Sequence, residues 1–514
     1  MLPIQAVNGA TSKHAFSADG GRTTTSTSYL ARAGKDDFQN VLIEPGTGNI
    51  YAVGDRYTQP SEETTPGGPS DNHWARRAII IKFDRLGNIL WLRELSKDGQ
   101  NNDPVSGGRW RRDDRFYDLC LNPSTHDVYV VGATTSMEAD HYNWASPRSN
   151  DCLVAKYNSS GTLQWQKFYG RDYYEWGSGG GSWWYYSEDN FQHCASLTDG
   201  RFAAVGQTAN NGGSGVGSIN NNVMLTVWNS NGTVSWTKWI SVAGSQNNNS
   251  SNVGTTGIRG IAVDGNNNVY VVLFGSGGSS GDHLIKFNSS GTVQWKKTWT
   301  SNIGFVGSIA VTKSGDIFIG ARSGSYGSYV PGIMKLNSSG TVQWTKTYTG
   351  ASIGNDSLFI DQEENVWLRS GSDSTAVCVD SNGNVVRAVS VDTNSSGGYF
   401  RGFTVNEGYM TVLSTSRKIG RNQSNNREMN LGLFQFEVSG ANNGSFTHTN
   451  TDNTTNTVTI STPSMSASSQ SNPSVSNSGV SVINYPGSQS LRFNNGSCTN
   501  FTNSSIPYNR TLTV

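Results

Sequence analysis

Charge is scarce in this chain. Charged residues make up 15% of its 514, and 38 basic side chains balance 38 acidic ones. An ordinary soluble domain carries about a quarter. A neutral chain of this kind has no electrostatic footprint for nucleic acid. Long apolar runs are also missing: no stretch reaches the ~18 residues of a membrane-spanning helix, so no membrane insertion is expected. Cysteine is limited to Cys120, Cys152, Cys194, Cys378 and Cys498. An odd, scattered set without a CxxC pair is no disulfide framework, and four of the five read as small core residues inside strands. Capped helical periodicity is absent, so little helix is expected. The N-terminal MLPIQAVNGATSKHAFSADGG has no basic region followed by an apolar core, and no secretory leader is expected.

Glycine (60 residues), tryptophan (15), asparagine, serine and threonine are plentiful, a composition of turns and strands. One motif recurs. KLNSSGTVQW runs from Lys335 to Trp344, KFNSSGTVQW from Lys286 to Trp295 and KYNSSGTLQW from Lys156 to Trp165. VWNSNGTVSW (Val227 to Trp236) and KFDRLGNILW (Lys82 to Trp91) are close copies, and CVDSNGNVVR (Cys378 to Arg387) is a weaker one. Such a period marks a repeat architecture. Each copy reads as a β-hairpin. Asn or Asp opens a type I turn, and Gly supplies the left-handed residue that closes it. Trp91, Trp165, Trp236, Trp295 and Trp344 hold the same place in five copies and are expected to be packing knobs between neighbouring sheets.

A second hairpin type alternates with the first, as in Phe38–Thr58, Arg115–Ser136, Asn190–Ala209 and Gly304–Gly324. Seven hairpins of each kind are found, the last of the motif type at Arg427–Phe446. Two hairpins give four strands, so the expected fold is all-β: a seven-bladed β-propeller of four-stranded blades with polar N- and C-terminal extensions. A parallel β-helix is the alternative, but its rungs are shorter and more even. The propeller is expected over residues 38–446, with an arm at 1–37 and a Ser/Thr/Asn-rich arm or small β appendage at 447–514. Repeat spacing is uneven. Trp295 and Trp344 are 49 residues apart, whereas Trp91 and Trp165 are 74 apart. The excess lies in insertions within the first three blades, where function is expected, because propellers carry function on loops.

The repeated K-[LF]-N-x-x-G-x-[VL]-x-W hairpin and its G-[ND]-x-[YF]-[VI]-x-G partner resemble the seven-bladed β-propeller repeats of bacterial surface proteins and of structural proteins of marine phages. The resemblance covers about residues 38–446. It implies the fold and leaves the activity open, since propellers host many.

Catalytic signatures are not evident. The turn motif of sialidase-type propellers is not matched. No carboxylate pair of glycosidase type is indicated, and Glu44, Asp84, Asp264 and Asp361 are read as turn or strand-end residues. The metal constellation of quinone-dependent dehydrogenases is not found. Asp264-Gly265-Asn266-Asn267-Asn268 alternates oxygen ligands like a calcium loop but lacks the closing Glu, so it is read as a hairpin turn. The seven histidines offer no HExxH spacing. No metal and no cofactor are expected, and the chain is read as not an enzyme. The sequons at Asn158, Asn288, Asn337 and Asn394 are read as turn residues.

Two stretches suit an interface. Gly108 to Arg115 mixes Arg with Trp110. Tyr173, Tyr174, Trp176, Trp183, Trp184, Tyr185 and Tyr186 flank a glycine-rich centre. With Trp144 and Trp110 they form a partner or glycan surface, or they fold back as a lid over their own blade. The expected function is a multi-copy, non-enzymatic structural protein of a phage virion, in the tail, tail tip, fibre or another exposed appendage. It is made in the host cytoplasm and exposed outside. Its partners are other virion proteins and a host glycan or receptor, and the terminal arms are expected to contact other chains or the propeller rim rather than fold alone. A secreted or surface glycan-binding adhesin is the alternative, followed by a polysaccharide-degrading enzyme.

Overall fold

The computed structural model describes residues 12–17, 36–58, 75–84, 89–96, 114–134, 151–169, 173–176, 182–185, 189–210, 220–242, 258–274, 282–299, 304–323, 330–349, 357–361, 364–369, 375–392, 399–406, 409–416, 430–437, 444–449, 455–461, 464–470, 475–476, 480–484 and 499–502. Among these, every regular element is a β-strand, and no helix is long and apolar enough to cross a membrane.

The described strands form seven antiparallel sheets of four to six strands that follow one another, with one separate two-stranded hairpin. The first sheet is typical: Asp36–Ile43, Ile50–Thr58, Ala75–Phe83 and Ile89–Ser96 pair in chain order. The first strands of the sheets are Asp36–Ile43, Arg115–Leu121, Asn190–Ser196, Ile258–Val263, Gly304–Val311, Ser357–Ile360 and Tyr399–Asn406. Each lies against the next, and the last lies against the first. A ring of antiparallel sheets closed in this way is a β-propeller.

The strands are apolar on both faces because each sheet is covered on both sides. In Val128–Thr134, Val128 and Val130 join an apolar cluster with Tyr51 and Ile80 of the first sheet. Tyr129 and Val131 join one with Phe202 and Met224 of the third. The two-residue alternation of a strand thus divides its side chains between two neighbours.

The repeated motif makes the contact between sheets. In the fourth sheet Asn288 Oδ1 accepts the N–H of Ser290 and of Thr292, and Gly291 closes the turn at φ 82°. The preceding sheet's tryptophan lies on that turn. Trp236 Nε1 donates to the Ser289 carbonyl at 3.1 Å. The same bond recurs from Trp91 to Ser159, Trp165 to Ser230, Trp295 to Ser338 and Trp344 to Ser381, at 3.0–3.2 Å. Five equivalent clasps therefore join the first sheet to the sixth. A basic residue two positions on lies over the indole in three of them: Arg93 over Trp91, Lys297 over Trp295 and Lys346 over Trp344, at 5.5–5.9 Å.

One expected hairpin is not formed. Arg427–Phe446 is not a hairpin. The seventh sheet takes Tyr399–Asn406, Tyr409–Ser416 and Asn430–Glu437, and its fourth strand is the N-terminal Ser12–Ser17. Gly444–Thr449 pairs instead with Thr455–Ser461, which adds to the sixth sheet. From there the C-terminal segment runs back around the ring. Ser466–Gln470 pairs with the outermost strand of the fifth sheet, Val475–Ser476 with that of the fourth, Val480–Asn484 with that of the third and Thr499–Thr502 with that of the first. The described parts of both termini are strands of the propeller's own sheets.

The clasp makes Gly291 a sensitive position. A Cβ there lies 2.7 Å from the Trp236 ring, whereas one on Gly46, also at positive φ (79°), meets nothing within 4 Å. Gly46→Ala is expected to cost about 1–2 kcal/mol, the left-handed backbone penalty alone. Gly291→Ala adds the displacement of the indole and is expected to cost about 2–4 kcal/mol. Urea denaturation of both variants checks the difference, and equal losses count against the clasp.

His283 gives a pH signature. Its ring is fully buried in the fourth sheet, with Nδ1 2.9 Å from Thr298 Oγ1. Burial lowers its pKa from 6.5 to about 4. The unfolded chain binds this proton near pH 6.5 and the folded chain only near pH 4. Stability is therefore fully present above pH 6.5 and is lost as pH falls toward 4. Between pH 7 and 5 the loss from this group is on the order of 1–2 kcal/mol, and His283→Gln is expected to flatten that slope in denaturation curves at pH 5, 6 and 7.

Candidate functional site

Successive connections of an antiparallel sheet leave on opposite sides, so the propeller has two different faces. One face is built of short turns. It carries residues 44–49, 122–127, 197–201, 264–268, 312–316 and 361–365, and also 158–162, 229–233, 288–292, 337–341 and 380–384. The remaining connections begin and end at the other face. Those of the first three sheets span nine to twenty residues, and those of the fourth to sixth only four to seven.

The described turns of this face are closed by their own hydrogen bonds. Asp264 Oδ1 accepts the N–H of Asn266 and of Asn268, and Oδ2 accepts Asn268 Nδ2 and the Tyr270 hydroxyl. Burial and this carboxylate push the Tyr270 phenol far up, so it stays a donor. The calcium-like spacing is the wiring of a turn. Asp361 does the same for Asn365 and the Trp367 indole. Glu44 is buried and accepts from Thr47, Asn49 and Lys82, the last an ion pair at 3.2 Å. Burial raises its pKa, but the bonds from Thr47 and Asn49 and the Lys82 ammonium outweigh this and hold it below the usual value.

The connection from the second sheet to the third begins and ends at the other face. Tyr173–Trp176 and Ser182–Tyr185 form the separate two-stranded hairpin, on the connection from the second sheet to the third. Its register sets Tyr173 opposite Tyr185, Tyr174 opposite Trp184 and Glu175 opposite Trp183, with Trp176 opposite Ser182. Tyr186, Trp110 and Trp144 lie outside the described residues. So does most of Gly108–Arg115, of which Asp114 is buried and accepts the Thr134 hydroxyl at 2.6 Å.

Sequence reasoning missed a polar cluster on the inner ring of the same three sheets. Asn40, Asp118 and His193 each follow a β-bulge in the inner strand. Asp118 Oδ1 accepts Asn40 Nδ2 at 2.6 Å and its neighbour Leu119 N–H at 2.8 Å. Oδ2 accepts the Cys194 N–H at 2.9 Å and lies 3.8 Å from His193 Nδ1. One nearly buried carboxylate thus ties three inner strands. The signal was Phe38-x-Asn40, Phe116-x-Asp118 and Phe191-x-His193, a short pattern at the same place in three hairpins. No group of three or more metal-ligating side chains occurs among the described residues.

No protein-family model matches the chain, and no curated protein matches it. Solved structures do. A protein of unknown function from Bacteroides caccae aligns at 12% identity and a TM-score of 0.32, over 56% of this chain and 83% of its own. A gluconolactonase from Xanthomonas campestris aligns at 8% identity and a TM-score of 0.30, over 62% of this chain and 85% of its own. The second corrects the expectation that the chain is not an enzyme. An enzyme stands among the structures it matches. At that distance the match transfers no activity to any residue of this chain.

Asp118→Ala is expected to cost about 3 kcal/mol or more, because the Leu119 and Cys194 N–H groups and Asn40 Nδ2 lose their acceptor. Asn40→Ala removes one bond of the set and is expected to cost about 1 kcal/mol. Denaturation midpoints of the two variants check the order.

Proposed function

We propose that the protein is a multi-copy structural component of an exposed phage appendage, such as a tail, tail tip or fibre. In it the propeller acts as a rigid disc that presents one working face to a protein partner or a host surface receptor. The observation that carries this reading is the aromatic hairpin Tyr173–Trp176/Ser182–Tyr185 on the face of long connections. A rigid scaffold that holds variable loops is a common arrangement for recognition. Tyr and Trp offer large contact areas for few ordered torsions, and their polar tips still bond. The low charge and the Asn/Ser/Thr-rich composition support an extracellular setting.

A surface adhesin that binds glycans would use the same hairpin. The genes beside this one separate the two: capsid, portal and tail genes support the virion reading, and transport or polysaccharide-utilisation genes overturn it.

The hairpin itself is tested by Trp183→Ala combined with Trp184→Ala. Residues at the centre of an interface each cost about 2 kcal/mol or more on truncation. The double variant is expected to lose host attachment or particle assembly with its melting temperature unchanged. A large loss of stability with binding intact identifies the hairpin as packing and removes the proposal's main support.

A further inference from the structure

We propose that Cys120 and Cys194 are a redox-responsive pair that closes to a disulfide and latches the second sheet to the third at the inner ring. The two residues stand on the inner strands Arg115–Leu121 and Asn190–Ser196. The Cys194 N–H donates to Asp118 Oδ2 at 2.9 Å. Asp118 and Cys120 are two apart on a regular stretch of strand, so their side chains leave on the same side. The side that carries the carboxylate to Cys194 therefore carries the Cys120 thiol as well. Leu119 and Leu121, on the opposite side, pack toward the first sheet. The two thiols are near enough to interact electrostatically. Both are buried and free, and both belong to the cluster that includes Tyr129 and Phe202.

The chemistry needs a small oxidant, and hydrogen peroxide serves. One thiolate attacks a peroxide oxygen and the O–O bond breaks. The sulfur becomes a sulfenic acid, and the departing hydroxide takes a proton and leaves as water. The second thiolate attacks the sulfenic sulfur, the S–S bond forms and a second hydroxide departs and is protonated. Two thiols and one peroxide give one disulfide and two waters. Burial pushes the Cys194 thiol well above its ordinary range, so closure is slow at neutral pH and faster as pH rises. The bond would enclose the rest of the second sheet and the aromatic hairpin in one covalent loop, a constraint that raises stability by limiting the unfolded chain. This inference does not depend on what the hairpin binds.

The test uses the full chain, purified with reductant and desalted, then treated with hydrogen peroxide at pH 8.5. Remaining thiols are alkylated in denaturant and the digest is mapped by mass spectrometry. The expected result is a peptide linked through Cys120 and Cys194, with a rise in melting temperature of roughly 3–5 °C that dithiothreitol reverses. Cys120→Ser and Cys194→Ser abolish both effects, and Cys152→Ser, in the same cluster, leaves them intact. Recovery of Cys120 and Cys194 as alkylated thiols or separate sulfinic acids overturns the proposal, as does a link from either to Cys152. The map of the unsubstituted chain decides even if a serine variant fails to fold.

Discussion

The structure depends on one contact: the tryptophan of each motif closing over the glycine turn of the next sheet. A twisted four-stranded sheet with two apolar faces has no stable existence alone, and it is buried only if neighbours cover both sides. Sheets arranged around a ring splay apart toward the rim. Near the centre, backbone and short polar side chains reach across the gap, as Asp118 does to the Cys194 N–H. Farther out the gap needs the largest side chain available, and the indole fills it while its N–H meets a turn carbonyl. The turn must then present no Cβ to the ring, which is why glycine recurs at that place and why Gly161 and Gly383 approach the indoles of Trp91 and Trp344 as Gly291 approaches Trp236.

That dependence explains what could be read from the sequence. A contact repeated five times needs the same residues five times, so the Asn-x-x-Gly turns, the tryptophans and the alternation of hairpin types are visible without a structure. The seventh sheet breaks the rule at its outer edge. Ser12–Ser17 reads SKHAFS and Ser466–Gln470 reads SASSQ, sequences with little of a strand's usual pattern. A strand added to an open edge is held by backbone hydrogen bonds, and these leave no mark on the choice of side chain. The inner cluster was hidden for another reason. Asn40, Asp118 and His193 do one job with three residue types, and Gly260 holds the equivalent place in the fourth sheet. Only their common distance from an aromatic or aliphatic residue is preserved.

The path of the C-terminal segment answers a problem that the ring creates. Closing the ring protects the faces of the sheets but leaves each outermost strand with a row of unpaired backbone groups, a template for unwanted pairing. The segment visits the sixth, fifth, fourth, third and first sheets in that order and pairs with the outermost strand of each. Its polar composition, read from sequence as a mark of an arm, suits a strand with one edge on the propeller, as in Ser466–Gln470, where Ser466, Ala467, Ser468 and Ser469 are exposed.

Together these constraints divide the molecule by freedom. The turn face is held by clasps and by carboxylates whose acceptor sites are filled by their own turns. The ring is closed by the pairing of an N-terminal strand with the seventh sheet, and the rim is held by the C-terminal segment. The long connections of the first three sheets all begin and end on one face. A change of sequence there leaves the clasps untouched, whereas a change in a turn alters the contact with the neighbouring sheet. Recognition placed on that face can therefore vary while the scaffold beneath it stays the same, and this separation is the physical basis for looking for function on the face of the aromatic hairpin.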